Sequence, residues 1–345
     1  MEQKKRIESF DLAKGIGILL VVWAHARGPF SGYIYQFHMP FFFVISGLLY
    51  SRGGTVRDYI LRKIRSLYIP FVFWNLFFYV GKNLYHFSAI HWQDFGKNIL
   101  YILLTLSKDG QFCGATWFLG SLFLVSIAYR LLDAVIDDSP LNDVLKLGMF
   151  AAAAILGFRI TLPLMFSRTL VLGLFFALGV LVRKYAPRLR SWDHPVLTLL
   201  MAILFLVIGR HGSANMGANE YSSPLLFVLG AAMASHAILW LCRQMETWEH
   251  PILRAGKSVL VLLGRRSLDI VIWQFVFFRL GIVLQMYLHG ESITVSGVLS
   301  YYPIYSSANG WWLIYTILGV VCPLLWCWML RQGPWGKLLK KLYIV

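Results

Sequence analysis

A lysine and a histidine bracket the first apolar stretch of the sequence, KGIGILLVVWAH, in which Lys14 and His25 are eleven positions apart. In an α-helix this spacing is three turns plus about 20°, so both side chains project from one face, about 16 Å apart along the axis. A neutral imidazole can take a proton from a hydroxyl group, whereas an ammonium group attracts phosphate or carboxylate. Asp11 is placed to pair with Lys14 on the same face. The plainer alternative is a lysine that reaches the aqueous boundary and a histidine at the opposite interface.

The segment YQFHMPFFFVISGLLY adds a second histidine and two small residues. His38 is expected near the outer end of a helix, where a short turn returns it toward His25, so both are candidate catalytic residues. Ser46 and Gly47 would let another helix or a ligand approach the backbone. Ser46 is a candidate substrate-binding residue, as is Trp117 in TWFLGSLF, at an outer boundary where tryptophan is common.

The segment RDYILRKIRSLYIP places Arg62 and Arg65 three positions apart, on one helical face. They are candidates for binding a phosphorylated ligand on the cytoplasmic side, because charge-assisted hydrogen bonds to phosphate are strong. The topology of membrane proteins also places arginine in such loops without any ligand.

Hydrophobic residues make up 58% of the 345 positions and charged residues 14%, whereas a soluble domain has about 25% charged residues. We predict an all-α, polytopic membrane protein with a single domain over residues 1–345. Apolar runs such as VLTLLMAILFLVIG do not alternate as the strands of a β-barrel do. The predicted spans are 10–27, 33–51, 66–86, 116–133, 144–162, 168–184, 195–210, 223–242, 267–289 and 311–330. The segment 98–107 is too short for a span and is expected to be re-entrant or interfacial.

The net charge of +16 fits membrane topology rather than nucleic-acid binding. With ten spans and both termini in the cytoplasm, most of the lysines and arginines fall on the cytoplasmic side, as the positive-inside rule requires. The exception is the inner end of the fourth span, where aspartates outnumber the bases: Asp133, Asp137, Asp138 and Asp143. The four cysteines have no metal-ligand spacing, so we expect neither a metal site nor a disulfide framework.

In order and content these motifs resemble the integral-membrane acyltransferase family 3, and within it the fucose-4-O-acetylase-like acetyltransferases. The resemblance rests on the lysine-ten-histidine helix, FHMPFFFVISG, RKIRSLYIP, WFLGSLF and a late GRRSLDIVIWQ, and is closest over the first 125 residues. It implies a ten-helix protein of the plasma or inner membrane. The implied reaction moves an acyl group, acetyl by preference, from cytoplasmic acyl-CoA to a hydroxyl of an extracytoplasmic or lipid-linked glycan. Acyl-CoA is then a substrate, and no cofactor is bound permanently.

On this resemblance, Lys14, Arg62 and Arg65 would hold the phosphates of CoA while His25 deprotonates the acceptor. The sequence has no Gly-x-Ser-x-Gly motif, so direct transfer is favoured and an acyl-histidine intermediate stays open. Two residues depart from the family pattern. Lysine at position 14 lacks the fork of the usual arginine. Gln274 stands where a histidine is expected, and an amide can form hydrogen bonds but cannot carry a proton.

Two other classes of function compete with this interpretation. A glycan or lipid transporter or flippase would use the intramembrane charges of Asp269, Arg279 and Lys82, although paired halves with matching interrupted helices are not apparent. A membrane subunit without catalytic activity is the third possibility.

Overall fold

The computed structural model describes residues 8–85, 92–106 and 110–342, and most of these are helical. The helices are α1 (Glu8–His25), α2 (Ser31–Tyr35), α3 (His38–Leu48), α4 (Val56–Lys63), α5 (Ile69–Tyr85), α6 (Trp92–Thr105), α7 (Trp117–Val135), α8 (Pro140–Arg159), α9 (Phe166–Tyr185), α10 (Pro195–His211), α11 (Pro224–Glu246), α12 (Pro251–Arg265), α13 (Ser267–Leu288), α14 (Val295–Ser300), α15 (Trp311–Gln332) and α16 (Pro334–Lys341). A short hairpin pairs β1 (Ala214–Asn215) antiparallel with β2 (Glu220–Tyr221). The all-α prediction is confirmed.

Seven helices in the described part of the chain are long and apolar enough to cross a membrane. They are Val56–Leu84, Trp117–Val135, Pro140–Arg159, Phe166–Tyr185, Pro224–Glu246, Ser267–Leu288 and Ala308–Gln332. The first of them runs through α4, a π-helical segment at Ile64–Tyr68 and nearly all of α5. The count of ten spans stays a prediction. Residues 86 and 107, which end two of the predicted segments, lie outside the described residues.

The predicted span over residues 33–51 is not one continuous helix, because two helices, α2 and α3, occupy it. The break falls at Gln36, whose side-chain amide donates hydrogen bonds of 3.0 Å to the carbonyls of Gly209 and Gly212 at the end of α10. Those contacts fix the chain where the helix stops. The eleven residues of α3 span about 16 Å, well short of the hydrocarbon thickness of about 30 Å.

Two helix crossings are close because glycine stands at the contact. A Cβ at Gly47 in α3 would lie 2.1 Å from the carbonyl oxygen of Phe176 in α9, and one at Gly15 in α1 would lie 1.9 Å from that of Leu260 in α12. No side chain fits at either point, so backbone meets backbone. The prediction that Gly47 admits a neighbouring helix is confirmed, and the α12 contact fixes the Lys14 half of α1.

Ion pairs occupy the acidic segment that breaks the positive-inside pattern. Asp133 lies 2.6 Å from Lys146, a residue with only 2% of its surface exposed, and accepts a hydrogen bond of 2.6 Å from the Tyr50 hydroxyl. Asp138 and Asp143 both pair with Lys184. The hydrogen bond from Lys184 lowers the pKa of Asp138 below its usual range. Three of the four aspartates are therefore paired with lysines of α8 and α9.

A shorter helix replaces the segment predicted as re-entrant or interfacial. Helix α6 has 14 residues and lies against the spanning helix that contains α5, where the Tyr68 hydroxyl donates a hydrogen bond of 2.7 Å to the carbonyl of Leu103. Its length of about 21 Å is below that needed to cross a bilayer, as predicted.

Candidate active site

Helix α1 ends at His25, and the chain turns back on itself directly afterwards. Arg27 and Phe30 have left-handed φ values of 55° and 61°, a conformation that residues other than glycine rarely adopt. The turn brings α2 back to the end of α1, where the hydroxyl of Tyr35 donates a hydrogen bond of 2.9 Å to the carbonyl of Ala24. The half-buried imidazole of His25 therefore lies under a folded-back segment.

The same turn places both candidate catalytic histidines beside one tyrosine ring. The centroid of the Tyr35 ring is 6.4 Å from that of His25 and 5.4 Å from that of His38. His38 is buried, and its Nδ1 lies 2.8 Å from the carbonyl oxygen of Ile34. A carbonyl only accepts, so Nδ1 donates and Nε2 carries the lone pair. The predicted return of His38 toward His25 is confirmed.

Helix α13 also contacts His25. The Nδ1 atom lies 3.0 Å from Oε1 of Gln274, and the ring centroid lies 4.9 Å from that of Phe275. We call the group formed by His25, Tyr35, His38, Gln274 and Phe275 the imidazole site. Sequence reasoning singled out Gln274 only as a departure from the family pattern. It missed Tyr35, although that residue lies one turn before His38.

The basic cleft is a second site, with a volume of about 550 Å³. It is lined by Leu49, Ser51, Tyr59, Arg62, Lys63, Arg65 and Ser66. Arg62 and Arg65 thus share one cleft, as their spacing predicted. Lys63 was missed because α-helical periodicity does not place it on the face of Arg62 and Arg65. The helix becomes π-helical directly after it, over Ile64–Tyr68, and such segments are frequent at functional sites.

Lys14 stands at the opposite end of α1 from His25. Its amino group lies 3.9 Å from Asp11, and 28% of its side chain is exposed, so the predicted pairing is confirmed. Asp11 also lies 3.3 Å from Nε of Arg265 in α12. Lys14 and Lys63 are close enough for their like charges to interact, which places Lys14 toward the basic cleft.

Ser46 and Trp117, the candidate substrate-binding residues, make contacts of different kinds. The hydroxyl of Ser46 donates a hydrogen bond of 2.8 Å to the carbonyl of Phe42 one turn earlier in α3. Trp117 begins α7, is buried, and lies 4.5 Å below the guanidinium of Arg168. Ser46 is eight positions from His38, which is about 12 Å along α3.

Two of the three charges on which a transporter would depend take part in structural contacts. Asp269 accepts two hydrogen bonds, of 2.7 and 2.8 Å, from Arg331 in α15. Arg279 donates to the carbonyls of Val298 and Tyr301 around the end of α14. These contacts join α13 to its neighbours, so a transport role is not needed to explain either residue.

Comparison with known proteins identifies the family. A sequence profile described as an acyltransferase domain matches residues 7–332, and the chain belongs to this family, acyltransferase family 3. It is an O-acyltransferase and a multi-pass membrane protein. The chain is similar to nodulation protein NolL of Mesorhizobium japonicum, with 26% identity over 301 residues that cover 80% of this chain and 78% of the relative. A NolL of Sinorhizobium fredii is 35% identical over 101 residues, which cover 24% of this chain and 27% of that protein. No solved structure matches the chain.

Proposed function

We propose that this acyltransferase moves an acetyl group from cytoplasmic acetyl-CoA to a hydroxyl of an extracytoplasmic or lipid-linked glycan. The protein would lie in the plasma or inner membrane, with ten spans and both termini in the cytoplasm. One observation carries the proposal. The basic cleft lies toward the Lys14 end of α1 and the imidazole site lies at its His25 end, and these two residues are about 16 Å apart along the helix.

The basic cleft suits the nucleotide end of the donor. Arg62, Lys63 and Arg65 line it and Lys14 lies toward it, so several cations can meet the phosphate groups of CoA. The pantetheine arm would follow α1 from the cleft toward His25 and carry the thioester to the imidazole. Ser46, partway along α3, could accept a hydrogen bond from the arm, and Trp117 could offer an aromatic surface to the acceptor.

The proposed reaction uses one base and forms no acyl-enzyme intermediate. Nε2 of His25 would take the proton of the acceptor hydroxyl while the hydroxyl oxygen bonds to the thioester carbonyl carbon. When the tetrahedral intermediate collapses, the carbon–sulfur bond breaks and the imidazolium returns the proton to the departing sulfur. The products are an ester and CoA with a free thiol. His38 could use its own Nε2 lone pair to hold the acceptor hydroxyl in position.

The test is donor turnover by the purified protein in detergent or vesicles. Acetyl-CoA and a glycan acceptor are supplied, and the free thiol of the released CoA is measured. The mass of the glycan is measured by mass spectrometry. We expect thiol release together with a mass gain of one acetyl group on the glycan, and neither in the His25→Ala variant. A folded protein that moves the glycan across vesicles without releasing CoA would contradict the proposal and support a transporter.

A further inference from the structure

Gln274 joins two helices that are distant in the sequence. It lies in α13, none of its surface is exposed, and its amide contacts the imidazole at the end of α1. We propose that Gln274 is the positioning residue of His25: it holds the proton on Nδ1, orients the ring and thereby assigns the lone pair to Nε2. This inference rests on the proposed function, in which His25 is the base.

The direction of each hydrogen bond follows from what each atom can do. Nε2 of Gln274 lies 3.3 Å from the carbonyl oxygen of Val271, in the preceding turn of α13. That oxygen only accepts, so the amide nitrogen faces it and the amide oxygen faces His25. The amide oxygen also only accepts, so Nδ1 of His25 must donate. A neutral imidazole with its proton on Nδ1 carries its lone pair on Nε2.

An aromatic contact fixes the ring in a second direction. Phe275, the next residue of α13, lies 4.9 Å from the His25 ring, and Tyr302 lies 5.3 Å from Phe275. The hydrogen bond sets the rotation of the imidazole in its own plane, while the phenyl ring limits its tilt. Gln274 and Phe275, two consecutive residues of α13, therefore fix the orientation of the His25 ring. Tyr302 in turn packs against Phe275.

An amide at this position has a chemical consequence that neither histidine nor carboxylate would have. It does not compete with His25 for the proton, because it does not ionise near neutral pH. It also adds no negative charge that would stabilise the imidazolium. The reaction in this protein therefore depends on a single titrating group at this contact, and Gln274 acts through the tautomer it selects.

The first experiment replaces Gln274 by methionine, which has similar length but no hydrogen-bonding amide. We expect kcat to fall about 10- to 100-fold, as for other residues that orient a functional imidazole, with the KM for acetyl-CoA unchanged. The matched control is Gln285→Met. Gln285 is in the same helix, has 1% of its surface exposed, and accepts a hydrogen bond of 2.7 Å from Tyr315. That variant also loses a buried amide but should keep its kcat.

The tautomer itself can be read by nitrogen NMR of protein labelled with ¹⁵N-histidine. The His25 signals are those that disappear in His25→Ala, and couplings to the ring C–H protons distinguish Nδ1 from Nε2. We expect the proton on Nδ1 in the wild type and a mixture of tautomers in Gln274→Met. A proton on Nε2 in the wild type would overturn the inference. So would a Gln274→Met variant that keeps both the tautomer and the kcat of the wild type.

Gln274→Glu provides an independent test that preserves side-chain volume. A carboxylate beside the imidazole favours its protonated form, so the acidic limb of the kcat–pH profile should move up by about one pH unit or more. Gln285→Glu should leave the profile in place, and an unshifted profile in Gln274→Glu would count against the contact. If His25→Ala keeps normal turnover, the proposed base is wrong. If His25→Ala loses turnover but the Gln274 variants behave as the wild type does, His25 remains the base and only the proposed positioning role of Gln274 is wrong.

Discussion

Two sites of opposite physical character lie at the His25 end of α1 and toward its Lys14 end. At the His25 end, the imidazole site uses uncharged groups: two imidazoles, an amide, a phenol and a phenyl ring in direct contact. Toward the Lys14 end, the basic cleft is an open volume of about 550 Å³ with three cations on its wall. The contacts at the His25 end can orient an imidazole, whereas the cations of the basic cleft can attract an anionic ligand.

This difference predicts how each end responds to change. A hydrogen bond weakens steeply when its angle or distance is wrong, whereas the attraction between charges falls only slowly with distance. The imidazole site should therefore be sensitive to small rotations and control kcat. The basic cleft should tolerate small displacements, respond to the loss of a charge, and control the affinity for the donor.

The largest effect is expected from His25→Ala. Removing a general base costs about 10²- to 10⁴-fold in rate, so turnover should fall by that factor while the protein still inserts and binds donor. The measurement is thiol release from acetyl-CoA by purified variants of equal thermal stability. His236→Ala is the control, because His236 is another half-buried histidine, with Thr198 as its partner, in α11. Near-normal turnover without His25 would leave the imidazole site with no chemical role.

A nearly equal loss is expected when the two ends of α1 are turned relative to each other. One alanine inserted between Ile18 and Leu19 rotates His25 by about 100° and lifts it by about 1.5 Å relative to Lys14. The close crossing of Gly15 with Leu260 holds the Lys14 half, so the His25 half must leave Gln274.

The control for the insertion is Leu19→Ile, which keeps the length and should cost less than about 1.5 kcal/mol of stability. Turnover and thermal stability are measured for both variants. A stable insertion variant with full activity would show that the rotation of His25 relative to Lys14 about the helix axis does not matter. The imidazole site would then not depend on orientation.

Local features of the sequence were enough to predict much of this arrangement. The spacing of Lys14 and His25 and the pairing of Lys14 with Asp11 follow from helical periodicity. Arg62 and Arg65 line one cleft as predicted, although Arg65 lies in the π-helical segment. Family resemblance supplied the reaction class, since an isolated helix with a lysine and a histidine has a structural explanation as well.

The remaining features depend on contacts between distant parts of the chain. The contact of Gln274 with His25 joins residues 249 positions apart, and periodicity carries no information about such a pair. The break between α2 and α3 is fixed by Gln36 binding to the end of α10. The π-helical segment at Ile64–Tyr68, which contributes Arg65 to the basic cleft, changes the helical period itself.

An intermediate effect is expected from the cations of the basic cleft. Arg62→Ala and Arg65→Ala should each weaken acyl-CoA binding by about 1–3 kcal/mol, through the loss of a charge-assisted contact to phosphate. The change should appear in the KM for the donor and shrink at high salt, with the KM for the acceptor unchanged. Arg57→Ala is the control, because Arg57 is exposed on α4 and does not line the cleft. Wild-type donor affinity in both variants would mean that these arginines set membrane topology and do not bind the donor.

The smallest effect is expected from Ser46→Ala, which tests the region between the two ends. The hydroxyl hydrogen of Ser46 already bonds to the carbonyl of Phe42, so it is not available to stabilise an oxyanion unless that bond breaks. Loss of an oxyanion donor costs about 10²- to 10³-fold in kcat. If Ser46 only accepts a hydrogen bond from the donor's arm, the alanine variant should lose less than tenfold in kcat/KM.

Ser126→Ala, which removes a buried hydroxyl from α7, is a suitable control for the loss of the group itself. A loss of 10²-fold or more in kcat for Ser46→Ala alone would mean that its hydroxyl turns from Phe42 to the reacting carbonyl. The orientation-dependent region would then extend from the imidazole site into the middle of α3.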